Sequence, residues 1–324
     1  LKITILQDDK PGHFNQSEGI LLSLSRLSDV TVERIRLQRK YLLPQKILRF
    51  FLKRQLLSLA DLWALAYKNK LSDIITETDL IISAGGDTLL GNIILAKQTG
   101  AQNIFAGSIR GFSSQLFSAV IIPYSAYKNY GNYIVSLKPS PIDPDSIDIK
   151  EDKNKLVLLL GGPSGDYTYT NEEWETLLTG MQAHATKVSA ALHVFTSRRT
   201  PHEIKQYLKT LNVLAYDDGT VSTQEVFTHC LSAAQIFVTQ DSSSMISEAV
   251  VSRRPVISIR PKKHNTSSKD LEYLNELITA NLVKSIPITS LNNNEITRAL
   301  KSIQPMKENH LDALAAQLKA KLLE

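Results

Sequence analysis

One pattern constrains this chain more than any other: a short run of strand-forming apolar residues, then a polar or glycine-containing loop, then a stretch with helical periodicity. It passes through KITILQ, DLIISAGG, NIFAGSIR and SAVIIP, with DDKPGHFNQ read as a Pro-Gly loop and a helix expected over 17–27. It stops in the segment 139–155, where three prolines and a run of charges displace it, and restarts with LVLLLGGPS, SAALHVFTSRRTP, VLAYDD, IFVTQDSSS and PVISIRP. Near-continuous apolar strands that alternate with helices are buried on both faces, which places them in parallel sheets covered on each side. Two such series divided by a proline-rich stretch predict two Rossmann-like α/β domains, 1–145 and 146–324, with parallel sheets facing across a cleft. The last helix is expected to pack back on the first domain. A chain of 324 residues is long enough to fill both cores.

Composition removes several functional classes. The single cysteine, Cys230, rules out an internal disulfide and any thiolate cluster, and its apolar helical context suits a small buried hydrophobe. A net charge of +5 is too small to predict nucleic-acid binding. No signal-peptide pattern occurs at Leu1 and no uninterrupted apolar run reaches about 18 residues, so a cytoplasmic protein, peripheral on the inner membrane face, is expected. The patterns G-x-G-x-x-G after the first strand, G-x-x-x-x-G-K-[ST], G-x-S-x-G and H-E-x-x-H are all absent. The histidines are scattered and predict no metal cluster; a divalent ion held by carboxylates and substrate phosphates stays open.

In an open parallel sheet, ligands bind beyond the carboxyl ends of the strands, so the loops there carry the candidate site. In the second domain these are Gly161, Gly162 and Ser164; Ser197, Arg198 and Arg199; and Asp241, Ser242, Ser243 and Ser244, followed by Glu248. Glycines allow close backbone approach, and arginine supplies a bidentate fork. Serines before an apolar helix leave its amides free for a phosphate. Such loops fit a diphosphate, with Arg198 or Arg199 as a ligand, and Glu248 is placed to accept from ribose hydroxyls. Helix capping and plain strand-to-helix turns are the structural alternatives. In the first domain, Asp8, Asp9 and His13 follow one strand, and Asp87 follows the glycine pair of another. His13 is the most suitable base near neutral pH, with Asp8 or Asp9 orienting it or acting directly.

From Arg34 to Lys70 there are ten basic residues and one acid, Asp61. The segment 44–70 has apolar residues at helical intervals, with Phe50, Phe51, Trp63 and Tyr67 among them. A helix on an anionic membrane has this composition, and so has a core helix pair with a basic solvent face.

Together DDKPGHFNQSEG, SAGGDTLLGN, LLLGGPSGDYTYT, FTSRRTP and TQDSSSMISEAVVSRRPVISI resemble the ELM1-like family, named for mitochondrial fission, over about 6–259. That family looks like a branch of the GT-B glycosyltransferases. The serine-to-glutamate stretch also resembles the donor site of MurG-type N-acetylglucosaminyltransferases. The resemblance implies Glu248 on the ribose and His13 in the role of the histidine of their first glycine-rich loop, although 8–15 contains a single glycine, Gly12. It implies transfer of a sugar from a nucleoside diphosphate, and the basic segment 46–70 makes a lipid-linked or envelope saccharide the expected acceptor. A nucleotide-sugar epimerase and a non-catalytic membrane-associated scaffold are the rival readings.

Overall fold

The computed structural model describes residues 1–75, 77–128, 130–146, 149–265 and 269–322. They form two compact units, one made of Leu1–Pro141 with His310–Glu324 and the other of Ile142–Asn309.

The first unit runs β1 (Lys2–Gln7), α1 (Pro11–Ser25), β2 (Thr31–Arg36), α2 (Gln45–Arg54), α3 (Leu59–Ala66), β3 (Leu80–Ala84), α4 (Leu89–Thr99), β4 (Gln102–Ala106), β5 (Ala119–Ile122) and β6 (Tyr133–Val135). Its sheet is parallel throughout, in the order β2-β1-β3-β4-β5-β6. Strand β3 is buried along its whole length, as expected for a strand with helices on both faces. Helix α4 is tied to the sheet by a buried polar network. The Asn92 amide donates to Ser83 Oγ and to the Ile104 carbonyl, both at 3.0 Å, and accepts from Asn103 at 2.7 Å. With every partner supplied, burial of these amides is tolerated and fixes the position of the helix.

Helix α1 starts earlier than the sequence pattern predicts. The segment read as a Pro-Gly loop becomes helical at Pro11, which sits at the first helical position, where a missing N–H costs nothing. His13 is therefore on the first turn of a helix rather than in a loop. The basic segment forms two helices, interrupted where Gln55 adopts the left-handed conformation (φ 52°) and Ser58 caps α3.

The second unit contains β7 (Asp152–Leu160), β8 (Tyr167–Thr168), α5 (Asn171–Lys187), β9 (Ala191–Thr196), α6 (His202–Leu208), β10 (Leu214–Tyr216), α7 (Thr223–Ser232), β11 (Ala233–Thr239), α8 (Ser243–Val251), β12 (Val256–Arg260), β13 (Lys263–His264), α9 (Lys269–Thr279), β14 (Val283–Pro287) and α10 (Asn293–Leu300). Its main sheet is again parallel, in the order β10-β9-β7-β11-β12-β14, and β8 pairs antiparallel with β13. Residues 152–155 (DKNK), expected in a linker, are the start of β7, exposed except for the half-buried Lys155. Cys230 is buried on α7.

The last helix, α11 (His310–Leu322), belongs to the first unit. Its Leu314 and Leu318 join Ile20, Leu21 and Leu24 of α1 in one apolar cluster. Among the described residues no helix is long and apolar enough to cross a membrane.

Candidate functional site

Each parallel sheet has one place where the direction of strand addition reverses, between β1 and β3 in the first and between β7 and β11 in the second. Loops leaving the carboxyl ends of two such strands part to opposite faces and leave a crevice between them, the usual ligand position in an open α/β sheet. Asp8–His13 and Gly85–Asp87 flank the first switch point. Gly161–Ser164 and Asp241–Ser244 flank the second.

At the first switch point Asp8 and His13 form a close pair, with His13 Nδ1 2.6 Å from Asp8 Oδ2. The carboxylate is nearly enclosed, at 3% exposure, and the imidazole is open at 26%. Burial pushes the Asp8 pKa up. The bond and charge of His13, the Lys10 amide at 3.0 Å and the Lys10 charge more than offset this, leaving it below the ordinary carboxylate value. An ionised carboxylate on Nδ1 directs the imidazole so that Nε2 is the nitrogen available to a substrate.

The glycine pair sets how closely this ring approaches the sheet. A Cβ on Gly85 would lie 2.0 Å from His13 Nδ1, and one on Gly86 would lie 2.2 Å from Arg110 Cζ. Gly85 also needs its positive φ of 84°. Arg110 is itself left-handed at φ 47°, and its carbonyl accepts from Arg49 Nη1 at 2.5 Å. Its guanidinium has no hydrogen-bond or ion-pair partner among the described residues. His13, Gln16, Gly86, Ser108, Arg110 and Lys138 help to line a cavity of about 160 Å³.

The other first-unit candidates separate from this pair. Asp87 Oδ2 accepts from Tyr41 at 3.1 Å and lies 3.9 Å from Lys10 Nζ. Asp9 is exposed and paired with Arg36, whose Nε donates at 2.7 Å. Arg110 was not among the sequence candidates because NIFAGSIR was read as one strand. Strand β4 ends at Ala106, which puts Ser108 and Arg110 in the loop at its carboxyl end. The bracketing glycines, Gly107 and Gly111, both at positive φ, were the available signal.

At the second switch point three loops meet on one buried carboxylate. Asp241 accepts from the Gly162 amide at 3.1 Å, from the Tyr169 hydroxyl at 2.9 Å and from Arg199 Nη2 at 2.5 Å. Burial raises the Asp241 pKa, and Arg199 and these donors work against that rise. The glycines are steric necessities, since a Cβ on Gly161 would meet Asp241 Oδ2 at 2.2 Å and one on Gly162 would meet the Arg199 carbonyl oxygen at 2.0 Å. Ser197 Oγ accepts from the Arg199 amide at 3.2 Å, and Thr200 Oγ1 donates to the Leu160 carbonyl at 2.8 Å, which stiffens the arginine loop.

This arrangement gives the sequence candidates different surroundings. Arg199 is tied to Asp241, whereas Arg198 is exposed, with no partner among the described residues. Ser164 is half-buried in the β7 loop, where its amide donates to the Tyr167 carbonyl at 3.0 Å. Ser242 caps α8 by accepting from the Met245 amide, and Ser243 Oγ donates to Asp270 at 2.7 Å. Ser244 is half-buried in the first turn, and Glu248 one turn on is half-buried, close enough to Cys230 to help burial raise that thiol's pKa. Tyr169 and Asp270, which bond Asp241 and Ser243 of the candidate loops, were not among the sequence candidates; nothing local marks them, because these contacts come from β8 and α9 folding against the loops. Among the described residues no group of three or more His, Cys, Asp or Glu side chains is arranged to hold a metal ion.

The sequence model of mitochondrial fission ELM1 matches residues 11–322. The chain belongs to that family. No curated protein sequence matches this ELM1-family chain. Among solved structures it is similar to UDP-GlcNAc 2-epimerase from Neisseria meningitidis bound to UDP-GlcNAc, with 14% identity, TM-score 0.62 and full coverage of both chains. It is also similar to the Methanocaldococcus jannaschii UDP-GlcNAc 2-epimerase in complex with UDP-GlcNAc and UDP, with 14% identity, TM-score 0.55 and coverage of 100% of this chain and 99% of that one. Acinetobacter baumannii MurG matches at 12% identity and TM-score 0.51, over 99% and 100% of the two chains. The ELM1-family chain thus has a GT-B-like fold of two Rossmann-like units.

Proposed function

We propose that this chain is an enzyme of nucleoside diphosphate sugars, with the diphosphate held by the second unit and proton transfer carried out by the Asp8–His13 pair. The observation that carries the reading is that pair, a buried carboxylate 2.6 Å behind an open imidazole, set at a sheet switch point beside an unpartnered arginine. In the second unit Arg198 and the amides opening α8 at Ser243 and Ser244 are the diphosphate donors, and Glu248 accepts from the ribose. Asp241 and Arg199 hold the loops in place for them.

Two reactions suit this machinery. Epimerisation comes first, because the similar structures named as UDP-GlcNAc 2-epimerases match end to end at TM-scores of 0.62 and 0.55, against 0.51 for MurG. In that reaction a proton leaves the carbon beside the anomeric centre as the diphosphate departs. Return of the diphosphate, with a proton delivered to the opposite face, inverts that carbon. Glycosyl transfer to a lipid-linked or envelope saccharide is the second reading, favoured by a cavity whose lining among the described residues contains one aspartate-backed base and no carboxylate side chain. There His13 takes the proton of the attacking hydroxyl while the diphosphate leaves.

Incubation with UDP-GlcNAc in D₂O, without acceptor, separates the two. Formation of a sugar isomer carrying solvent deuterium, lost in His13→Ala, is the expected result for an epimerase. UDP release that requires an added saccharide, with no deuterium in the sugar, assigns transfer. A folded protein that neither binds nor turns over any nucleotide sugar overturns both and leaves the scaffold reading.

A further inference from the structure

A second cavity of the first unit plays no part in the proposed reaction. It is a half-open groove of about 1030 Å³ between α2, the start of α3 and the loop after β4. Its walls include Leu52, Leu57, Phe112 and Leu116, and Phe50 stands at its edge with 51% of its surface exposed. Lys46, Arg49, Lys53 and Lys97 also line it, and among the described residues no acidic one does. Lys46, Lys53 and Lys97 are exposed and have no ion-pair partner among the described residues.

These features favour one chemical class of occupant. An apolar trough would suit many ligands, but a trough ringed by unpaired cations suits one that is apolar along its length and anionic at its end. The chain around it agrees. No carboxylate occurs in sequence between Glu33 and Asp61, while Leu42, Phe50 and Leu56 are 66%, 51% and 57% exposed. Bulky apolar side chains left in water among unneutralised cations are the two attractions by which a protein binds an acidic bilayer. An acidic peptide would satisfy the charges and leave these apolar side chains in water.

We propose that the α2 groove is a membrane-docking site that seats an acyl chain of an acidic lipid, with Lys46, Arg49, Lys53 and Lys97 on the anionic headgroup. The groove wall at Gly111–Phe112 directly follows Arg110, whose carbonyl Arg49 holds at 2.5 Å. Docking therefore sets the Asp8–His13 cavity beside the lipid headgroups. The proposal goes beyond the nucleotide-sugar reading and does not rest on it.

The test is co-sedimentation of the full chain with vesicles of phosphatidylcholine alone and of equal parts phosphatidylcholine and phosphatidylglycerol, with no sugar nucleotide present. Binding to the acidic vesicles and not to the neutral ones is expected. Neutralising two cations in Lys46→Gln/Lys53→Gln should weaken it on the order of tenfold or more. Phe50→Ser, at a half-exposed position that leaves the core intact, should also weaken binding to acidic vesicles by several-fold. Failure to sediment with either vesicle overturns the proposal, and so does equal binding to both. Loss in the lysine variant with none in Phe50→Ser overturns the groove as the seat, leaving surface charge alone. Competition by soluble poly-glutamate that is complete and insensitive to Phe50→Ser overturns the lipid in favour of an acidic protein partner. Because no sugar nucleotide is added, failure here is distinguishable from failure of the proposed reaction.

Discussion

In the proposed reaction His13 serves as the base because of what stands behind it. An imidazole on a surface turn would rotate freely, whereas the bond to Asp8 fixes its tautomer and Gly85 lets the ring lie against the backbone. Replacing His13 by alanine is expected to lower kcat by about 10²–10⁴ with a small change in KM, the usual contribution of a general base. Asp8→Asn should give much of that loss, and the double variant little more, since residues acting as one unit are not additive. A double variant that multiplies the two losses would show that they act separately. The glycines of the second unit make a sharper steric test. Gly162→Ala forces a Cβ to within 2.0 Å of the Arg199 carbonyl oxygen, a backbone atom that cannot swing away, and should destabilise by about 1–3 kcal/mol. Gly165→Ala, where a Cβ would meet nothing within 4 Å, should stay within about 0.5 kcal/mol of the parent in urea unfolding. Asp8, His13 and the glycine pairs were legible in the sequence because they sit in short loops directly after apolar strands. Arg110 was not, because a left-handed residue between two glycines shows its meaning only once β4 is known to end at Ala106. Nor was the division between the two adjacent arginines, since which of them meets Asp241 depends on how two loops distant in sequence pack.

At the scale of elements, the parallel strands that carry an apolar run were readable, β10 at a sheet edge included, whereas β6 and β14 were not. Strands β3, β7 and β11 announce themselves by the apolar runs LII, LVLLL and IFV within them. The short strands β6, β8 and β13 are set by neighbours rather than by their own composition. The start of α1 at Pro11 was misread for a related reason, since proline opens a helix as readily as it closes one. The edge where β9, β10 and α7 meet carries a physical consequence of its own. His193 is 8% exposed there, its ring at 5.9 Å from that of Tyr216 and 4.8 Å from that of His229, with Nδ1 3.2 Å from the Tyr216 hydroxyl. Burial first, then the charges of His229 and Lys155, lower its pKa from 6.5 to about 4, against a smaller opposing effect of Asp152. His229 is lowered too, mainly by burial and then by Lys155, with Glu225 opposing. Between pH 6.5 and 4 the unfolded chain therefore binds more protons than the folded one, so stability is full above the upper value and falls as the pH drops toward the lower. The loss from His193 should be about 2 kcal/mol, after allowance for solvent at this sheet edge. Urea midpoints measured across that window should slope less in His193→Phe, which keeps the ring and removes the titration. An unchanged slope would place the acid sensitivity elsewhere.

At the scale of the whole molecule, the chain passes from one unit to the other at Pro141–Ile142 and returns at Asn309–His310, so only the second unit is continuous in sequence. The first is completed by α11, whose Leu311, Leu314 and Leu318 are all at or below 1% exposure and which is anchored by His310 Nε2, 3.0 Å from the Ser140 carbonyl. A fragment of residues 142–309 should accordingly fold alone, whereas 1–141 should expose the α1 face that α11 covers and bind a hydrophobic dye until 310–324 is supplied. This division also locates the ligand. If the diphosphate donors all lie in the loops at the carboxyl ends of β7, β9 and β11, then a nucleoside diphosphate should stabilise the 142–309 fragment as it stabilises the intact chain. Ligand at about a hundred times its Kd raises stability by about 2.7 kcal/mol, a shift of several degrees in Tm that calorimetry resolves. Equal shifts in fragment and full chain, both abolished by Glu248→Ala, would assign nucleotide recognition wholly to the second unit and leave the Asp8–His13 pair with the chemistry. A shift confined to the full chain would mean that residues of the first unit hold the nucleotide as well, and the separation of binding from proton transfer proposed for this fold would have to be abandoned.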